Sequence, residues 1–295
     1  MECFSLDSIS LKVPAKINLA LNIAEERDDG YHFMKMVMQA IDLFDYITIE
    51  KNESKAITIE CDNPNIPCNS SNTCYKAAEL FFKKNDMETQ GIHIKIEKNI
   101  PVQAGLGGGS ADAAGVLVGL NVMFEKFLSN ASLCNMGVMV GADVPFCIIG
   151  GTATAEGIGE IILPLPNFPE GYFVVCKQKV GVSTKEAFAK YDEEVMANNF
   201  DFSKAVAAVV SSDIELISEE LFNAFEEFIE LEDTSKIKEI MSEHECLGSL
   251  MSGSGSAIFG IFDSKKKAIK CANELKHNFE ETFVCVPYEG GATII

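Results

Sequence analysis

Apolar and polar positions alternate in short runs along the first part of the chain, then give way to helical spacing. Ile9 to Val13 and Ile17 to Ile23 both alternate, with Pro14-Ala15-Lys16 between them, which predicts two strands and a break. Tyr46 to Glu50 and Ile57 to Glu60 have the period of half-buried strands, and Gly91 to Glu97 alternates strictly, its isoleucines on one face. Thr73 to Lys84 reads as a helix with Ala77, Ala78, Leu80, Phe81 and Phe82 supplying its apolar side. A longer helix is expected from about Ser110 to Phe127, where Ala113, Val116, Leu117, Leu120 and Phe124 recur at helical spacing. A helix near Ala131 to Val140 and strands near Thr152 to Ala155 and Glu160 to Leu163 follow.

The segment PLPNFPEG, Pro164 to Gly171, carries three prolines and predicts a boundary between residues 1–163 and 164–295. Beyond it come a strand (Tyr172 to Cys176), a helix (Thr184 to Tyr191) and an acidic, helix-rich stretch from Phe202 to His244. The glycine turn Ser252 to Ser256 precedes a strand (Ala257 to Phe262), a lysine-rich helix (Ser264 to Asn278) and a last strand (Phe283 to Pro287). That order predicts an α+β architecture with a smaller second domain.

Composition narrows the classes of function. The 295 residues are 47% hydrophobic and 23% charged, enough for a sizeable core in one large or two modest domains. A net charge of −20 argues against binding along a nucleic-acid backbone, while leaving room for a nucleotide in a small positive pocket. The ten cysteines form no CxxC pair or His cluster, so free, buried thiols are expected. The start of the chain has no signal-peptide pattern and no apolar run has the length of a membrane span, so a soluble cytoplasmic protein with no membrane partner is expected.

Candidate chemistry begins with PVQAGLGGGSADAA, Pro101 to Ala114, with glycines at 105, 107, 108 and 109. Glycine permits positive φ and lets a ligand approach the main chain. A glycine loop opening a helix presents free N–H groups at the positive end of the helix dipole, a setting for phosphate. The loop is not a Walker A motif, since no GxxxxGK with a following Ser or Thr occurs. It is not a dinucleotide fingerprint either, because Ser110 stands where GxGxxG needs its third glycine. Ser110 is read as a helix cap, with a phosphate or metal contact as the alternative.

Phosphoryl transfer also asks for charge neutralisation and an acceptor for the hydroxyl proton. Asp143, in the polar interruption GADVPF, is a candidate acceptor, against the plainer reading of an Asp capping a turn before Pro145. Lys16 could be a surface charge, or it could pair with Asp143, keep the carboxylate ionised and stabilise a developing alkoxide. Tyr31 and Phe188 could be core aromatics, and His32 could be merely exposed.

Together these segments resemble the GHMP kinase superfamily. Its first motif is similar to PAKINLAL (Pro14 to Leu21), its ATP phosphate loop to PVQAGLGGGSA (Pro101 to Ala111), and its third motif to MSGSGSA (Met251 to Ala257). Arg27 to His32 (RDDGYH) followed by Ile41-Asp42, GADVPF, AEGIGE (Ala155 to Glu160) and GVSTKEAF (Gly181 to Phe188) resemble the branch that phosphorylates a cytidine diphosphate methylerythritol on the non-mevalonate route to isoprenoids. LFNAFE, Leu221 to Glu226, loosely resembles that branch's NDLE segment.

The resemblance implies a two-domain fold. Its N-terminal ATP-binding domain would resemble domain 2 of ribosomal protein S5, and its smaller C-terminal domain would be ferredoxin-like. It implies ATP and Mg²⁺ as cofactors and a small-molecule substrate phosphorylated at its 2-hydroxyl. Lys16 and Asp143 would be the catalytic pair. Pro101, Val102, Gln103, Ala104, Gly105, Leu106, Gly107, Gly108, Gly109, Ser110 and Ala111 would wrap the phosphates, with Asn72 and Lys98 near the adenosine. Tyr31 and Phe188 would stack on the cytosine, and His32 would hydrogen-bond its edge, with Asn18 and Thr184 nearby. Metal ligands stay open, as does the choice between monomer and homodimer. A GHMP kinase for mevalonate, homoserine or a sugar is the alternative, and a non-catalytic nucleotide-binding regulator of the same fold is the next.

Overall fold

The computed structural model describes residues 6–26, 32–194 and 199–295. Tyr31 lies outside the described residues. The larger sheet is built on two long strands, β1 (Ser8–Glu26) and β2 (His32–Lys51), paired antiparallel from Ser8↔Glu50 to Glu26↔His32. The break expected at Pro14-Ala15-Lys16 is absent. The strand runs through it with a register shift between Pro14 and Ala15. Such an irregularity accommodates a residue without an N–H inside a ladder. Every residue from Val13 to Leu21 is buried, so the period-two pattern is masked where both faces of the sheet are covered. Likewise, the strand expected at Tyr46 to Glu50 is only the end of β2.

β2 serves two neighbours. Its last residues, Tyr46–Lys51, pair antiparallel with β4 (Ile92–Glu97), which pairs parallel with β3 (Ile57–Cys61) across the crossover helix α1 (Thr73–Lys84). Its first half, Met34–Gln39, pairs with β5 (Thr152–Gly157), which is followed by β6 (Ile161–Pro164). The long helix is α2 (Gly108–Met123), beginning two residues before its expected start. It lies directly on the hairpin. A Cβ at Gly115 would stand 2.7 Å from Val13, and one at Gly119 2.8 Å from Ile49, so two glycines on one helix face set that close approach. α3 (Asn130–Gly137) and α4 (Val144–Ile149) pack beside it.

Leu165 to Gly171 leads into a second sheet of β7 (Tyr172–Lys177), β9 (Gly248–Met251), β10 (Ala257–Phe262) and β11 (Thr282–Cys285), in the order β11-β7-β10-β9. All its pairs are antiparallel. Taken in chain order within this sheet the arrangement is 4-1-3-2, with helices after the first and third strands, which is the ferredoxin-like split β-α-β. β9 had no signal of its own in the sequence. Between β7 and β9 lie α5 (Thr184–Glu194), α6 (Phe202–Ser211), α7 (Ile214–Glu219), the short β8 (Phe222–Asn223) and α8 (Thr234–Glu243); α9 (Lys265–Leu275) connects β10 to β11.

Part of the acidity of the 202–244 stretch has a local cause. Asp213 accepts N–H bonds at the start of α7, as Asp201, one residue before the stretch, does at the start of α6. β8 crosses back to pair parallel with β1 (Ala20↔Phe222, Leu21↔Asn223), and β12 (Thr293–Ile294) pairs with the other end of β1. The second half of the chain thus adds two short strands to the first sheet. Cys61, Cys68, Cys74, Cys134, Cys147, Cys176, Cys246, Cys271 and Cys285 are free thiols; five are buried and Cys68 is exposed. No helix among the described residues is long and apolar enough to cross a membrane.

Candidate active site

Lys16 is a buried residue of β1, 4% exposed, and so not the surface charge its sequence context allows. Its Nζ donates to Asn18 Oδ1 at 2.7 Å and lies 3.4 Å from Asp143 Oδ2. An ammonium withdrawn from water needs such partners. Two residues apart on a strand, Lys16 and Asn18 project to the same side. Asp143 comes from the far end of the domain. It stands at the start of α4, but its side chain makes no capping bond there, so the carboxylate is left for Lys16 and for the cleft, to which it is partly open. The Asn18 Nδ2 group is buried with no protein partner. A buried amide donor beside an ion pair is an unfilled position for an oxygen of a bound molecule.

The glycine loop closes over this pair. Lys16 N–H donates to Leu106 O at 3.0 Å, and a Cβ at Gly107 would stand 2.9 Å from Lys16 Cγ. The cap of α2 is Gly107 itself, in the left-handed conformation at φ +73° with no side-chain bond. Ser110, expected as the cap, lies inside the first turn and donates its N–H to Gly107 O. The N–H groups of a first helical turn have no intrahelical acceptor, and here glycine leaves them uncovered. Gly141, in the turn before Asp143, approaches Ser110: a Cβ there would stand 3.5 Å from its Oγ.

The second glycine turn latches the loop to β1. Ser252 Oγ donates to Gly105 O at 2.9 Å and accepts the Asn18 N–H at 3.3 Å. A Cβ at Gly105 would come within 1.9 Å of Ser252 O, and Ala257 N–H donates to Ala104 O at 3.1 Å. Asn223 holds the turn from behind, its Nδ2 donating to Met251 O at 2.7 Å and Gly253 O at 2.8 Å. Asn223 falls in the segment the sequence covers least well, and its one signal is the loose likeness to NDLE. Thr184 and Ser254 share a hydroxyl contact of 3.2 Å, which brings α5 to the same turn.

Asn72 and Lys98 lie under the loop with their side chains committed elsewhere. Asn72 caps α1, accepting the Cys74 N–H at 2.8 Å and donating to Pro67 O at 2.7 Å. Lys98 Nζ sits between two buried carboxylates, bonding to Asp45 and, at 2.7 Å, to Asp112. Asp45 also accepts the N–H groups of Asn99 (2.6 Å) and Ile100 (2.8 Å), so it pins the chain entering the loop. Two acids around one ammonium leave an excess negative charge. Burial pushes the Asp112 carboxyl up to about 8, with Lys98 opposing the shift and Asp45 adding to it. Asp45 was invisible to motif reasoning, since an acid ending an alternating run carries no distinctive spacing.

At the start of β2, His32 meets α5. Phe188 stacks on its ring at 5.4 Å between centroids, and Tyr191 meets it edge-on at 5.3 Å. His32 Nε2 lies 3.0 Å from Asp192 Oδ1. The structure therefore brings His32, Phe188 and Thr184 to one helix, adds Tyr191 and Asp192, and backs Phe188 with Phe225 at 5.1 Å.

Comparison with known proteins gives concordant likenesses. The family models for "GHMP kinases N terminal domain" and "GHMP kinases C terminal" match residues 72–151 and 205–281. The chain is 42% identical over 278 residues to 4-diphosphocytidyl-2-C-methyl-D-erythritol kinase of Clostridium botulinum, covering 94% of this chain and 99% of the relative. It is 42% identical over 282 residues to the enzyme of that name from Acetivibrio thermocellus, covering 95% of this chain and 99% of the relative. A crystal structure of 4-(cytidine 5'-diphospho)-2C-methyl-D-erythritol kinase superposes with a TM-score of 0.77 at 29% identity, covering 96% of this chain and all of the other. Homoserine kinase from Cytophaga hutchinsonii also superposes at 0.77, but at 20% identity, so that likeness speaks for the fold alone.

Proposed function

The chain belongs to the 4-diphosphocytidyl-2-C-methyl-D-erythritol kinases of the GHMP kinase family, and from that premise we propose how its residues transfer the ATP γ-phosphoryl group to the 2-hydroxyl of 4-diphosphocytidyl-2-C-methyl-D-erythritol. The reaction belongs to the methylerythritol phosphate route to isoprenoids, a cytoplasmic task. The observation that carries the assignment of roles is the Lys16–Asp143 contact of 3.4 Å beside the glycine loop. Asp143 orients the 2-hydroxyl and takes its proton as the oxygen attacks phosphorus. Lys16, held by Asn18, keeps that carboxylate ionised and offsets charge on the attacking oxygen. The unpartnered Nδ2 of Asn18 donates to a substrate oxygen.

Pro101 to Ala111 receives the phosphates on main-chain N–H groups at the start of α2. Asn72 and Lys98 act here by shaping the nucleotide side of the loop, since their polar atoms are bonded to protein. Mg²⁺ would supply further charge neutralisation on the transferring phosphates. Among the described residues no group of three His, Cys, Asp or Glu could hold an ion, which fits a Mg²⁺ carried in on the nucleotide, with the Ser110 hydroxyl as the nearby protein oxygen. Residues 1–163 form the nucleotide half and 164–295 the substrate half, with His32 reaching across to the base.

A coupled ADP-release assay tests the reading on the cytidine compound, mevalonate, homoserine and a sugar. Turnover is expected with the cytidine compound alone, and turnover of mevalonate or homoserine in its place would sink it. Asp143→Asn should lower kcat by about 10²–10⁴-fold while ATP binding is kept. An unchanged kcat would remove Asp143 from the mechanism.

A further inference from the structure

α5 grips the imidazole of His32 with residues at positions i, i+3 and i+4. Phe188 covers one face of the ring, Tyr191 meets it edge-on, and Asp192 lies 3.0 Å from Nε2. Residues at that spacing share one face of a helix, so a single element sets the plane of the ring and the direction of its nitrogens. His32 is 7% exposed, whereas the Asp192 side chain is about half exposed. Asp192 therefore does little for the core, and its contact with the ring is directional. An aspartate takes a proton from Nε2–H and offers none. In a neutral imidazole that arrangement places the proton on Nε2 and the lone pair on Nδ1.

We propose that Asp192 is a positioning residue for base selection: by holding the proton on Nε2 it makes His32 Nδ1 an acceptor, matched to the 4-amino group of cytosine and opposed to the 4-oxo group of uracil. The inference rests on the cytidine substrate proposed above and adds to it the group that sets the choice of pyrimidine. Cytosine carries a donor at position 4, where uracil, like thymine, carries an acceptor. A nitrogen lone pair facing the second is left unpaired and repelled. A site built around one hydrogen bond rejects the analogue lacking it more strongly than a packing difference would. Phe188, already stacked on His32, provides the apolar floor on which a flat ring slides toward that nitrogen.

The decisive variant is Asp192→Asn. The amide can turn its NH₂ toward Nε2, which moves the imidazole proton to Nδ1 and converts the acceptor into a donor. Asp192 lies on an exposed helix surface, so the variant folds, and Asp192→Glu serves as the conservative control. The measured quantity is the ratio of kcat/KM for the cytidine substrate to that for its uridine counterpart, with KM for ATP beside it. The expected result is a drop in that ratio of roughly tenfold or more in Asp192→Asn, an unchanged KM for ATP, and partial return of the ratio in Asp192→Glu. Nitrogen-15 NMR of His32 should show Nδ1 unprotonated in the wild type and protonated in Asp192→Asn.

An unchanged ratio, or a wild-type imidazole carrying its proton on Nδ1, overturns the inference. So does a parallel rise in KM for ATP, which would make Asp192 a general structural contact. A wild-type enzyme that fails to phosphorylate the cytidine compound would instead sink the functional reading, and the NMR result would still report on the His32–Asp192 pair.

Discussion

The glycine loop and the His32 cluster are made of different material. At the phosphate end the glycine loop itself is held by contacts of main chain to main chain, or of a small polar side chain to main chain: Lys16 N–H to Leu106 O, Ser252 Oγ to Gly105 O, Ala257 N–H to Ala104 O. At the base end the contacts join side chains to side chains, Phe188, Tyr191 and Asp192 around His32. At Gly105 and Gly107 such a site admits almost no change of residue, because a Cβ there enters space that neighbouring chain occupies. A site built from side chains can be retuned one residue at a time. Transfer of a phosphoryl group is common to the wider family, and choice of acceptor is not, so this division of materials matches the division of tasks.

Four substitutions probe that contrast. The largest effect is expected from Gly105→Ala, whose Cβ would meet Ser252 O at 1.9 Å at a backbone φ of +73°. The latch between the two glycine turns must open, and kcat/KM for ATP should fall by about 100-fold or more. Gly109→Ala is the partner measurement. Of the protein, its Cβ would touch only Thr73 Oγ1, at 3.6 Å, so the latch stays closed and the loss should be far smaller than in Gly105→Ala. Equal losses in the two variants would break the distinction between glycines required by packing and those merely present.

A second, intermediate effect is expected from Asn223→Ala. It removes the donor to Met251 O and Gly253 O, both in a buried turn, and should lower stability by about 2–3 kcal/mol in denaturant unfolding. A loss below about 0.5 kcal/mol would mean the turn keeps its shape without that support.

A pH-dependent effect is expected from the buried acids under the loop. The Asp112 carboxyl, pushed up to about 8, keeps in the folded state a proton that the unfolded chain releases near pH 4. The folded protein therefore binds more protons between those values, so this group's contribution to stability declines as pH rises from about 4 to about 8 and is level above. Asp112→Asn should remove the decline. Melting temperatures of variant and wild type should diverge in the variant's favour between pH 5 and 8. A gap that stays constant with pH would show that Asp112 is already ionised in the folded protein.

Legibility in the sequence followed the same divide. Helix α1 was expected at its observed ends, because Thr73 to Lys84 carries an unmixed helical pattern, whereas the capping role of Asn72 is seen only in the structure. The glycine loop was legible from its own residues as a place of close main-chain approach, since glycine spacing reports main-chain geometry directly. The continuity of β1 was not, because burial on both faces erases the alternation by which strands are recognised. Ser110 was taken for the cap although the left-handed Gly107 holds that position, a choice that depends on φ and leaves no mark on residue type. Lys16 and Asp143, far apart in the chain, were paired through family resemblance, and the structure supplies their contact of 3.4 Å. Asp192 and Asp45 went unnoticed because an aspartate on a polar helix, or at the end of an alternating strand, looks like ordinary surface.

The pairing of β8 with β1 bears on how such enzymes could be recombined. Phe222 and Asn223 extend the sheet that carries Lys16, while the Asn223 side chain reaches back to the Ser252 turn that grips the phosphate loop. A chimaera joined in the proline-rich linker would graft the second half of one relative onto the first half of another, yet it would also exchange a strand and a latch of the recipient's first sheet. Residues 222–223 and 251–253 must therefore travel as a matched set with residues 16–21 and 104–107, so the unit that can be transplanted is smaller than a domain and discontinuous along the chain.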